Sequence, residues 1–321
     1  MGLYEMKEVE ATKLPVWFED ITAINWSEFA YVYNENENVV GIFRIILSGS
    51  DMGAVKSLEH LMGAIEHQSN NYRVANFIIP FFIKMIEDNV RPTAILEVVA
   101  NGLAVLTENI YLDVRGDAEG ITDCYLCNDE KLLCENHPDP KHADSLQLLW
   151  QSRSVYFERI QAKPSYYMCE GLGELLISLL VCRKFTKANI AEADYTAICD
   201  NIFMILNDEA CDQYVKRALI GKLVELAEFD TVILQTLRDW AQSQKDRIWA
   251  SDIVAFAVAG FQNGAYATQK EIKYRDRRIG FSFNGLCMFF RFRYSRKNKI
   301  LWRDRMVHYF PWLKYVFKSP F

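Results

Sequence analysis

The chain has 321 residues, half of them hydrophobic and 13% aromatic, with only 15 Gly and 8 Pro; this supports a continuous core and excludes a disordered chain or a turn-rich all-β fold. The net charge of −6 hides a strongly dipolar chain, because residues 1–269 carry −17 and residues 270–321 carry +11. At this length the molecule is either two ordinary domains or one elongated repeat array.

The N-terminus, MGLYEMKEVEATKLP, mixes charges where a secretory signal needs an apolar stretch, and Met6 stands where a myristoylation motif at Gly2 needs Ser or Thr. Helical periodicity sets in after Ser50, whose hydroxyl suits an N-cap. Met52, Val55, Leu58, Met62 and Ile65 follow at steps of three or four on one face. Val74, Phe77, Ile78, Phe81, Phe82, Met85 and Ile86 repeat the pattern around Pro80, which is expected to kink that helix by removing a backbone bond. A third helix opens near Pro92, a favoured first-turn residue, and runs through Ile95, Val98, Val99, Leu103 and Leu106. The connections are short, so neighbouring helices should pack antiparallel.

Between residues 111 and 143 the periodicity stops. Eight acidic and three basic residues, with Gly116, Gly120, Pro138 and Pro140, read as a long inserted loop. The loop holds Cys124, Cys127, Cys134 and His137, separated by two, six and two residues. Two close pairs of thiolate and imidazole ligands can close a tetrahedral structural zinc site, and a metal would order a loop too poor in apolar residues to order itself. Free thiols in a loop are the alternative. The acids Asp123, Asp129, Glu130 and Glu135 of the same loop are candidate partner-binding residues, chosen from loop position and charge.

Helical patterning resumes over 144–161, 166–184, 188–207, 211–228, 230–242 and 246–262, with Leu172, Leu175, Leu176, Leu179 and Leu180 forming a core stripe. Cys169, Cys182, Cys199 and Cys211 fall at or near core positions and read as small buried hydrophobes. Eight Cys scattered over the whole length read as reduced cytosolic thiols. Apolar stretches are broken by charge short of the roughly 18 to 20 residues that span a membrane. A soluble cytoplasmic protein is the expectation.

Residues 270–321 alternate basic and aromatic residues, as in Phe290-Arg291-Phe292-Arg293-Tyr294. Arg and Lys could track a phosphate backbone while rings stack on bases. Alternatively, the aromatics cap the open end of a helical stack, as repeat arrays require. The high apolar content of the segment favours the cap over nucleic-acid binding.

The N-terminal third carries a resemblance. Trp26, the Tyr33-led segment, His67-Gln68 and Pro80-Phe81 make residues 17 to 110 similar to a bacterial family of HEAT-like repeat proteins. Ser69 stands where that family has Gly, and Asn76-Phe77-Ile78-Ile79 replace its small residues. The resemblance implies an all-α, HEAT-like α-solenoid of antiparallel helix pairs over 1–269, with the insert at 111–143 and the 270–321 segment packed on it as a non-repeat cap. In architecture and use it points to immunity proteins of polymorphic toxin systems, which bind and neutralise a cognate toxin. The −17 body would steer a basic partner. A monomer in a one-to-one complex with a toxin protein, with no membrane role, is the expected arrangement; a general scaffold or adaptor is the alternative.

Enzyme signatures are missing: the sequence has no Gly-rich phosphate loop, His-Glu-x-x-His or Gly-x-Ser-x-Gly. His67 reads as a helix-end residue and not a catalytic base. His60, His142 and His308 have no companion pattern, and Asp208-Glu209 read as a solvated turn.

Overall fold

The computed structural model describes residues 14–29, 37–67, 70–71, 73–118 and 142–260. Among them the fold is all-α: twelve α-helices, one 3-10 turn and a single two-residue antiparallel pairing, Glu66–His67 with Asn70–Asn71. The chain divides into two compact units, Met1–Asp230 and Thr231–Phe321. The boundary expected at 269/270, the 270–321 segment, Tyr33, Gln68 and His308 all lie outside the described residues.

The first unit contains α1 (Phe18–Ala23), the 3-10 turn Trp26–Glu28, α2 (Val39–Ser48), α3 (Asp51–Ile65), α4 (Ala75–Asp88) and α5 (Thr93–Ala118). After the insert come α6 (His142–Gln151), α7 (Arg153–Ala162), α8 (Tyr166–Phe185), α9 (Glu192–Asn207) and α10 (Gln213–Leu226). Side chains cap several N-termini, where the first amides lack helical partners: Asn38 accepts from Gly41, Ser50 from Gly53, Ser165 from Met168 and Asp212 from Tyr214. Asn89 and Lys163 end α4 and α7 in the left-handed conformation. Trp26 is buried, and its indole N–H donates to Ile21 O at 2.7 Å.

Helices α2 and α3, α4 and α5, and α9 and α10 pack as pairs; α6 and α7 together partner α8. The second members form a row in which α5 packs on α3, α8 on α5 and α10 on α8. Gly171 of α8 abuts the backbone of Ala100 and Asn101 early in α5, and Tyr111 late in α5 meets Phe185 at the end of α8, with centroids 5.9 Å apart. These two helices therefore run parallel. Gly173 against Leu219, and Phe185 against Phe229 at 6.3 Å, give α10 the same direction. On the other side α4 packs on α6 and α7, and α7 on α9. Arginines bind these layers by taking carbonyls that helix ends leave bare: Arg91 donates to Leu47 O and Gly49 O at the end of α2, and Arg159 to Ile86 O and Glu87 O at the end of α4.

Four local expectations are corrected. In α3 the buried stripe is Ala54, Leu58, Leu61, Ala64 and Ile65, whereas Met52 is 70% exposed and Val55 and Met62 are half-buried; the buried face is rotated from the expected one and is completed by two alanines. The helix α5 continues to Ala118, past the point where its apolar pattern stops, because propagating an established helix needs no buried face. The helix expected over 144–161 is broken at Ser152, whose hydroxyl donates back to Leu148 O at 3.0 Å, a bond that bends helices. His67 lies in the two-residue pairing and not at the end of a helix. By contrast, α4 runs through Pro80. Residues Thr93–Leu112 are long and apolar enough to span a membrane, but 67% of that window is buried inside the fold, as in any core helix.

The second unit's described part is the pair α11 (Val232–Ser243) and α12 (Arg247–Gly260), which pack on each other. The helix α11 buries Ile233, Leu234, Leu237, Trp240 and Ala241 on one side.

Candidate functional site

The proposed zinc ligands Cys124, Cys127, Cys134 and His137, and the acids Asp123, Asp129, Glu130 and Glu135, lie outside the described residues. Among the described residues no group of three or more His, Cys, Asp or Glu is placed to hold a metal ion. The chemistry that the described fold does organise is ionic, and it gathers along the row α5–α8–α10.

Its centre is Lys222 of α10, almost fully buried. Its ammonium donates to Glu108 of α5 at 2.8 Å and to Glu225 of α10 at 3.1 Å. Burial alone would push this ammonium down, but Glu108, Glu225 and Glu174 of α8 outweigh it and hold Lys222 above its ordinary value. Three carboxylates thus act on one ammonium. Glu170 of α8 and Lys216 of α10 are also buried on these two helices. An otherwise apolar stripe carries the Lys222 charge because it is paired both within α10, by Glu225, and across to α5, by Glu108.

A second cluster lies where α6, the start of α7, α8 and α9 meet. Arg153 grips Asp194 with two bonds, of 2.8 and 3.0 Å, and donates a third to Trp150 O. The guanidinium carbons of Arg153 and Arg183 lie 5.1 and 4.3 Å from the Trp150 ring centroid. A third cluster lies in the turn at Asp208-Glu209 and adds an ion pair to it. Lys163 donates to Asp208, and this bond, with the Ala210 amide, holds the Asp208 carboxyl below its usual range; Glu209 beside it is exposed. His60 likewise has a companion, Glu37, at 2.9 Å.

The four cysteines of the core are free thiols. Cys169, Cys182 and Cys211 are buried and Cys199 is half-buried. Burial pushes all four up to about 11, so none is poised as a nucleophile. Sequence reasoning passed over Glu108, Lys222, Trp150 and Arg183. The signal available was a charge inside an apolar helix, as in ALIGKLVEL and LAVLTENIYL, which demands a buried partner.

No protein-family model matches the sequence, and no curated protein or solved structure is significantly similar to it.

Proposed function

We propose that the chain is a HEAT-like solenoid that works by binding a protein partner, and that it neutralises a cognate bacterial toxin by direct contact, as an immunity protein does. One observation carries this reading: the second helices of successive pairs form a continuous row, with α5, α8 and α10 parallel. A helix pair cannot bury its apolar face alone, so pairs that share a core in this way extend a surface suited to macromolecules. The −17 carried by residues 1–269 favours a basic partner, because an acidic surface speeds encounter with it. The resemblance over residues 17 to 110 supplies the toxin class, and the cytoplasm is where such a protein would meet its toxin.

Coexpression with the product of a candidate toxin gene from its own genomic neighbourhood tests the proposal. Rescue of growth and co-purification of a one-to-one complex are expected. A soluble, folded chain that neither rescues nor co-purifies would leave the scaffold reading in its place. A salt-dependent shift of nucleic acid lost on deleting residues 270–321, in a truncation that stays folded, would favour the nucleic-acid reading.

A further inference from the structure

The Trp150 cluster holds two guanidinium groups and one carboxylate. Asp194 is committed to Arg153 through both of its oxygens. Arg183 is stacked more closely on the indole, 4.3 Å from the centroid, which fixes its plane and lowers the entropy lost on gripping a ligand. Its Nη2 donates to Asn189 O at 2.8 Å, its only hydrogen bond among the described residues, and its Nε is buried without an acceptor. The Nη1 edge is left for an acceptor from outside.

Helix capping does not account for this arginine. A basic residue in the last turn of a helix commonly serves the bare carbonyls there. At the end of α8 those carbonyls are already taken: Cys182 O by the Thr186 amide and hydroxyl, Arg183 O by the Ala188 amide and Lys184 O by the Lys187 amide. Its Nη2 ties the connection after α8 back to the helix through Asn189 O, and the Nη1 edge has no partner among the described residues. Burial, and then the charge of Arg153, pushes the guanidinium below its ordinary value, with Asp194 nearby offsetting only part of the effect.

We propose that Arg183, held flat on Trp150, is a recognition point for an oxyanion, a carboxylate or phosphate group presented at the junction of α6, α8 and α9. Guanidinium pairs with such groups through parallel bonds, and a ring behind it is a common feature of binding hot spots. This site stands apart from the acidic row around Lys222 and does not depend on the toxin reading.

The test follows the arginine side-chain N–H resonances of the full chain during titration with sodium phosphate and, separately, sodium acetate, at ionic strength held constant with chloride. The Arg183 signal, assigned by its loss in Arg183→Gln, should move saturably while that of Arg153 moves little. Arg183→Lys keeps the charge but not the fork and should weaken binding about tenfold or more; it also serves if Arg183→Gln fails to fold. The stronger response, to acetate or to phosphate, identifies the preferred group. A linear drift shared by all arginines, or unchanged binding in Arg183→Lys, would overturn the proposal.

Discussion

Three glycines inside helices offer a graded test of the α5–α8 packing. Replacing each by Ala brings the same gain in helix propensity, about 1 kcal/mol; what differs is what the new methyl meets. Around Gly63 nothing lies within 4 Å, so Gly63→Ala should keep the whole gain. At Gly173 the methyl would meet Leu219 Cδ2 at 2.7 Å and Ile202 Cδ1 at 2.9 Å. Those side-chain tips can turn aside, so a repacking cost of about 1 kcal/mol should nearly cancel the gain. At Gly171 it would meet the Asn101 amide nitrogen at 2.8 Å and the Ala100 carbonyl carbon at 2.9 Å. Backbone cannot turn aside, so α5 and α8 must separate. Taking the upper end of overpacking costs, about 3 kcal/mol, the net loss is about 2 kcal/mol. Urea unfolding followed by circular dichroism should rank Gly63→Ala above the parent, Gly173→Ala level with it and Gly171→Ala lowest. A Gly171→Ala variant as stable as the parent would refute the close parallel packing of these helices.

Lys222→Ala should cost about 3 kcal/mol, because it removes the buried ammonium that pairs with Glu108 and Glu225; unfolding in urea measures it, and a loss below 1 kcal/mol would show the cluster to be hydrated. The Lys163–Asp208 pair has a defined pH signature. A carboxyl whose folded pKa lies below its unfolded value stabilises at neutral pH, and that contribution is lost as pH falls through the folded pKa. The stability gap between the parent and Lys163→Ala should therefore close on acidification, and a gap that widens would contradict the pairing. Alkylation at pH 7.5 mapped by mass spectrometry should leave Cys169, Cys182, Cys199 and Cys211 unmodified in the folded chain, since thiols at about 11 are almost wholly protonated there. Native mass spectrometry separates the two readings of the 111–143 insert: one zinc per chain, lost in Cys124→Ser, supports the zinc site, whereas an apo mass with stability indifferent to chelator leaves free thiols.

Much of the helical architecture is legible in the sequence. Strong apolar periodicity places α3, α4 and α8 within a residue or two of their ends, and Ser50 announces its own cap. What periodicity cannot see is why a helix persists where burial stops, as α5 does beyond Tyr111, or why one bends where its pattern continues, as at Ser152. The ionic sites were harder still. Lys222 and Glu108 are 114 positions apart in the sequence, and nothing local says that one neutralises the other; only the parallel course of α5 and α10 beside α8 brings them together. Arg183 shows the same limit: its last-turn position suggests a cap, and only the bonds already made around Thr186 show that the cap is filled.

The long reach of Arg159 has a consequence for how the protein is made. Its bonds to Ile86 O and Glu87 O span 73 and 72 residues, so the outer helix they close is synthesised well before the side chain that completes it. At translation rates of about 5–20 residues per second, α4 waits roughly 4 to 15 s with those carbonyls served only by water. Synonymous codons that slow the ribosome across the intervening segment would lengthen that wait without altering one residue of the product, and would raise the fraction that misassembles during synthesis.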